Sequence, residues 1–209
     1  MNKGLFITFE GPDGSGKTTV STAVCKRLQE EGYDVVYTRE PGGSDIAEQI
    51  RRVILDPENT DMDPRTEALL YAASRRQHLV EKVLPALYAG KTVISDRFID
   101  SSLAYQGVGR GIGIDAVYSI NQFAIEGHMP DKTVFLNIDA ETGLRRINAN
   151  RNYLDRLDQE SENFHDKVYE GYKQVIEKYR DRMIIVDASR DVDTVIQEAY
   201  TAVKGLLDA

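Results

Sequence analysis

Residues Gly11-Pro12-Asp13-Gly14-Ser15-Gly16-Lys17-Thr18 form a glycine, four residues, then Gly-Lys-Thr. That spacing lets the backbone curl so that several N–H groups converge on one anion, with an ammonium and a hydroxyl beside it. The chemistry it serves is the holding of a nucleoside triphosphate: Lys17 reaches the β and γ phosphates, Thr18 offers its hydroxyl to Mg2+, and Thr19 continues the helix start that cradles the anion. Farther along, Asp96-Arg97 supplies a carboxylate that serves Mg2+ through water or holds its neighbouring arginine. Glu10 and Asp13 flank the same loop; either could accept a proton, touch Mg2+ or bind a ribose hydroxyl, and spacing does not choose. Arginines recur at Arg39, Arg51, Arg75, Arg97, Arg145, Arg146, Arg151 and Arg156. Bringing the phosphates of two nucleotides together concentrates negative charge, which planar guanidinium groups clamp bidentately.

These residues need a scaffold that delivers them to one edge. Leu5–Phe9 reads as a buried strand running into the glycine loop, and Lys17 to about Glu31 as a helix with Val20, Val24 and Leu28 on one face. Asp34–Thr38 is a second strand whose carboxyl end carries Arg39-Glu40-Pro41-Gly42-Gly43. Ile46–Leu55 is helical, and a long helix starts at Pro64 and closes before Gly90. Thr92–Ser95 is a central strand that presents Asp96 and Arg97. The glycine-rich stretch Gly107–Gly113 leads into a helix at Asp115–Glu126, then Thr133–Ile138 is a strand. Helices at Glu141–Ala149, Asp166–Tyr179 and Val192–Leu207 enclose a last strand, Met183–Val186. Between the first two lies a polar excursion, Asn150–Asn163, expected to be exposed and mobile. Strands alternating with helices predict an α/β fold with a parallel sheet covered on both faces, in which ligands bind at the carboxyl ends of the strands.

The chain has 209 residues, with 16 glycines and 6 prolines, which fits one compact domain and excludes collagen-like or low-complexity readings. A net charge of -8 argues against neutralising a long nucleic-acid backbone. The single cysteine, Cys25, reads as an inert helix residue in a reducing compartment, so cytoplasmic residence is expected. Neither a signal stretch nor an apolar run long enough to span a membrane is apparent. No Asn-Lys-x-Asp guanine signature appears, and the length leaves little room for a motor; both push the reading towards a small-molecule kinase.

The joint order of several blocks resembles the thymidylate kinase family, in its bacterial form: Gly11–Thr18, Thr38–Gly43, Leu69–Arg75, Asp96-Arg97-Phe98 with Ser101–Gly107, and the arginine-bearing excursion after Gly143. The resemblance implies a P-loop fold with a five-stranded parallel sheet, a LID at about 145–163, Mg2+-ATP as phosphoryl donor, dTMP as acceptor and a homodimer. It implies that Arg97 holds phosphate between donor and acceptor, that Arg51, with Arg39 and Glu40 nearby, receives the acceptor phosphate, and that Arg75 hydrogen-bonds a thymine carbonyl. Tyr71 takes the place of an aromatic that stacks on the base, while Ser101, Ser102, Tyr105 and Gln106 match positions around base and sugar. Tyr71 and Arg75, four apart on one helix, project from one face and could grip one base together. With no arginine between Gly11 and Lys17, the resemblance assigns the catalytic charge to the LID, where Arg151 and Arg156 are the candidates and Arg145 and Arg146 lie nearer the adenine. Phe98 stands where the family commonly has tyrosine. Rival readings are another nucleoside monophosphate kinase, a thymidine kinase, or an ATP-binding module without turnover.

Overall fold

The computed structural model describes residues 4–150 and 155–209. Five strands, β1 (Phe6–Glu10), β2 (Val35–Arg39), β3 (Thr92–Asp96), β4 (Lys132–Asn137) and β5 (Met183–Asp187), form one parallel sheet in the order β2-β3-β1-β4-β5. Every residue of β1 and β3 is buried, as expected for central strands covered on both faces. Phe9 pairs with Asp96 and Arg39 with Asp96, so the carboxyl ends of β1, β2 and β3 finish level. The three loops that carry Asp13, Glu40 and Arg97 therefore leave the sheet at one edge.

On one face, α1 (Lys17–Glu30) and α9 (Val192–Leu207) pack Val24, Leu28, Ala199 and Val203 against Ile7, Phe9 and Ile94. Cys25 lies in this cluster, and burial pushes its thiol up to about 11, which keeps it inert. The other face is covered from the long helix, which runs as α3 (Pro64–His78), a π-helical stretch (Leu79–Val83) and α4 (Leu84–Tyr88). Leu79, Val83 and Leu87 meet Phe6, Val93 and Phe98 there, together with Val117 and Ile125 of α6 (Ile114–Ile125). Asp63 caps α3 by accepting from the N–H groups of Arg65 and Thr66, with Pro64 at the first turn. α2 (Asp45–Leu55) packs beside α3 on the outside.

Two readings of the sequence need correction. The segment before α6 is helical from Ile99, as α5 (Ile99–Ser102) and a π-helical run (Leu103–Gly109), although its glycines read as punctuation. Gly109 serves packing instead: a Cβ there would lie 2.9 Å from Phe164 and Val168 of α8 (Glu162–Lys178). The polar excursion is also not exposed throughout. Arg156 and Leu157 are both buried, because Leu157 joins an apolar cluster with Tyr71 and Ile54, and Arg156 finds a carboxylate beneath it. α7 (Ala140–Asn150) precedes this segment, and α8 begins at Glu162, capped by Ser161.

Candidate active site

One cavity of about 670 Å³ opens at the carboxyl edge of the sheet, within the range of nucleotide-sized pockets. Asp13 to Thr19 line one end, with Arg146 and the β5–α9 loop residues Ala188, Arg190 and Asp191. Arg39, Glu40, Pro41, Arg51, Tyr71, Tyr105 and Gln106 line the other, and Asp96, Arg97 and Ser101 lie on its wall as well.

The glycine loop takes its shape from left-handed residues, with φ of 77° at Gly14 and 87° at Gly16. A Cβ on Gly14 would lie 2.1 Å from the Gly143 carbonyl oxygen, so only glycine allows the loop to nest against α7. Gly11 and Pro12 sit behind the cavity and accept the Lys17 ammonium through their carbonyls at 2.9 and 2.7 Å. Burial, then the charge of Arg97, pulls that ammonium down to about 8, against the favourable charges of Asp13, Asp96 and Glu10. Thr18 donates to Asp96 at 2.5 Å. This pair offers only oxygen donors, the chemistry a hard cation such as Mg2+ prefers.

Arg97 adopts φ 72°, an uncommon left-handed conformation for a side chain of its size. The distortion is held from several sides. Its N–H donates to the Phe9 carbonyl at 2.9 Å, and its own carbonyl accepts from Ser95 Oγ at 2.8 Å. Glu10, fully buried, then accepts from the N–H groups of Phe98 and Ser101 at 2.8 and 3.2 Å, and from the hydroxyls of Ser101 and Tyr172 at 2.5 and 3.1 Å. Burial first, and the nearby Asp100 second, push the Glu10 carboxyl up to about 7. Glu10 thus faces inward and pins the turn. Asp13 faces the cavity and takes both the Arg97 guanidinium and the Tyr105 hydroxyl, the latter at 2.7 Å. Burial alone would raise its carboxyl, but Arg97 and then Lys17 hold it well below the usual carboxylate range.

At the far end two guanidinium groups converge on one carbonyl. Arg51 and Arg39 both donate to the Pro41 oxygen, at 2.9 and 3.3 Å, beside a cis Glu40–Pro41 bond. Burial and then the adjacent Arg39 charge weaken the hold of Arg51 on its proton, and an anion between them relieves that repulsion. Glu48 shares the load, accepting from Arg39 and from the Gly43 N–H, each at 2.8 Å.

Arg75 lies elsewhere from where the same-face argument with Tyr71 directs it. Tyr71 lines the cavity, but Arg75 is 1% exposed and lines none of it. Its guanidinium donates to Glu40 at 2.8 Å, Ser102 at 3.1 Å, the Phe98 carbonyl at 2.9 Å and Asn121. Ser102 is buried behind the wall with it. Arg156 is likewise turned away from the cavity, donating to Glu67 at 2.6 Å and to the Ile54 carbonyl at 2.8 Å. Arg145 is exposed near Thr142, whereas Arg146 reaches the Ala188 carbonyl at 3.0 Å and lines the cavity. Arg151 lies outside the described residues. Sequence reasoning passed over Tyr172, Arg190 and Glu67. Only Arg190 carried a signal, as a residue just past the carboxyl end of a parallel strand.

The thymidylate kinase family matches residues 9–199. The chain is 56% identical to a thymidylate kinase of Geobacillus sp. (strain WCH70) over 202 residues, covering 96% of each chain. It is 57% identical to that of Clostridium novyi (strain NT) over 208 residues, 99% of this chain and 100% of the other. Among solved structures, the crystal structure of thymidylate kinase from Ehrlichia chaffeensis superposes with a TM-score of 0.78 at 32% identity, over 97% of this chain and 99% of that one.

Proposed function

The chain belongs to the thymidylate kinase family and phosphorylates dTMP to dTDP with ATP, and from this premise we propose that the two ends of the cavity hold donor and acceptor with Arg97 between them. The observation that carries the assignment is that a single cavity joins the glycine loop to the Arg39–Arg51 pair, with Arg97 on its wall. The loop N–H groups, Lys17 and the start of α1 take the ATP phosphates, and Arg146 with Arg190 flanks the nucleoside end. Thr18 and Asp96 would hold Mg2+, which when bound neutralises charge on the β and γ phosphates. Arg51 and Arg39 clamp the dTMP phosphate, and Tyr71 offers its ring to the flat base.

Transfer then proceeds in line, directly to a dTMP phosphate oxygen. That oxygen is already anionic, so no residue need remove a proton from it, and no covalent enzyme intermediate is required. The work left to the chain is alignment and charge compensation. Arg97, held rigidly by Glu10 and Asp13, supplies a fixed positive charge where the phosphoryl group passes. The segment at about 145–163 serves as the LID that excludes water. Arg156 reaches the transferred group only by exchanging its Glu67 partner, so Arg151 and Arg156 both stay as donors of LID charge.

We assign the protein to the cytoplasm, where a lone buried thiol stays reduced, and to a homodimer. Ile46, Val53, Leu69 and Phe123 are 48%, 48%, 57% and 89% exposed on the neighbouring helices α2, α3 and α6, an apolar surface that a second copy would cover. An ADP-release assay with Mg-ATP against dTMP, dUMP, dCMP, dGMP, AMP, thymidine and no acceptor tests the reading. Preference for dTMP, with a raised KM for it in Arg51→Ala, is expected. An Arg51→Ala enzyme with wild-type KM for dTMP overturns the acceptor assignment.

A further inference from the structure

We propose that Glu67, which touches neither nucleotide, is the positioning residue that sets the polarity of base recognition, by fixing the Gln106 amide with its carbonyl towards the cavity. The inference rests on the reading that dTMP occupies the acceptor end. Glu67 lies one turn before Tyr71 on α3 and is fully buried. Gln106 Nε2 donates to its Oε1 at 2.8 Å, while Arg156 and Arg110 donate to its Oε2 at 2.6 and 2.9 Å. Arg110 Nε lies 3.2 Å from both oxygens. Two guanidinium groups keep the carboxylate ionised, and an ionised carboxylate only accepts. The end of the Gln106 amide that faces it is therefore the NH2. The opposite end, Oε1, receives no protein donor among the described residues, and Gln106 lines the cavity.

An acceptor at that position matches the N3–H of thymine. Cytosine presents a lone pair at N3, so the same carbonyl meets it with repulsion. The arginines thus act as the reference that keeps the pair of side chains in one orientation: their shortest bonds go to Oε2, the shortest bond to Oε1 is that of Gln106, and Arg110 keeps its bonds to Glu67 whichever partner Arg156 takes. Replacing Glu67 by glutamine makes a sharp test of this. The new amide turns its oxygen to the position that takes the shorter arginine bonds, where Arg110 Nε, equidistant from both positions, also finds its acceptor, and this leaves the NH2 towards Gln106. Gln106 then flips to accept it and presents its own NH2 to the cavity.

The test is Glu67→Gln, assayed in the full-length enzyme for kcat/KM with dTMP and with dCMP. Loss of one hydrogen bond to thymine and gain of one to cytosine each amount to about tenfold, so the dTMP-to-dCMP ratio falls by roughly a hundredfold. In a Gln106→Ala background, the same Glu67→Gln change leaves the ratio where Gln106→Ala alone puts it. A merely structural Glu67 lowers both substrates together, and an unchanged ratio, or an equal fall in the Gln106→Ala background, overturns the proposal. Where Glu67→Gln does not fold, NMR of the wild type with 15N-glutamine decides. The Gln106 NH2 protons should show contacts with the Glu67 methylenes in the dTMP complex; contacts with the base instead overturn it. Wild-type preference for dTMP over dCMP is read in the same assay, so failure of the substrate reading is recognised separately.

Discussion

Replacing Arg75 by methionine isolates what a buried guanidinium does beside a substrate cavity. Arg75 and Glu40 are 1% and 2% exposed and bond at 2.8 Å. Removing the cation leaves the Glu40 carboxylate in the interior with the His78 ring, 2.9 Å away, and its backbone neighbours. The Phe98 carbonyl, Ser102 and Asn121 each lose a donor as well. Breaking a buried ion pair from one side typically costs about 3–5 kcal/mol, mostly through the stranded partner. In a chain of this length each kcal/mol shifts the melting temperature by about 2–4 °C, so a fall of roughly 6–20 °C is expected. Urea denaturation without nucleotides measures the free-energy loss, and Glu40→Gln in the same background identifies its source. With the stranded charge removed, the double variant should lose clearly less than the sum of the two single ones. The same Arg75→Met enzyme should show a raised KM for dTMP, because Arg75 fixes Ser102 and the Phe98 carbonyl next to the acceptor wall. A loss below about 1 kcal/mol, or strict additivity with Glu40→Gln, refutes the view of Arg75 as part of the buried framework.

Three further outcomes follow from the same geometry. Glu10 holds its proton up to about 7 in the folded protein, against about 4.5 for an unburied glutamate, so folding binds a proton between those values and stability falls as pH rises through that window. Glu10→Gln, which cannot titrate, should flatten the urea midpoint between pH 4.5 and 7; retention of the wild-type slope would assign it to other groups. Arg97→Ala should lower kcat by about 100- to 1000-fold with a much smaller change in KM for dTMP, and a change confined to KM would remove Arg97 from the transfer step. Phe123→Glu should convert the protein to a monomer in light scattering while leaving its far-ultraviolet circular dichroism spectrum intact, because the ring is 89% exposed in the single chain and packs in no core; an unchanged mass would place the dimer contact elsewhere.

The phosphate loop was legible because its chemistry is local: glycines, a lysine and a threonine lie within eight residues, between a strand and a helix that the hydrophobic pattern also marks. The five strands were legible for the same reason, and with them the edge at which Asp96 and Arg97 emerge. What escaped depends on distant partners. Helical spacing alone puts Tyr71 and Arg75 on one face of α3, and it cannot say that Glu40, Phe98, Ser102 and Asn121 converge on the arginine from 23 to 46 residues away. Gly107 and Gly109 are indistinguishable in sequence from turn residues, because the close approach of Ile114 to the first and of Phe164 to the second belongs to tertiary packing. Glu67 is the sharpest case. An acid in the first turn of a helix reads as a solvated complement to the helix dipole, and nothing near it in the chain announces that Gln106, Arg110 and Arg156 enclose it. Groups that touch the nucleotides are bound to short motifs by the geometry of phosphate. Groups that orient them need only end up adjacent after folding, so their signal resides in the structure, and the orientation of the Gln106 amide is where that difference bears on substrate choice.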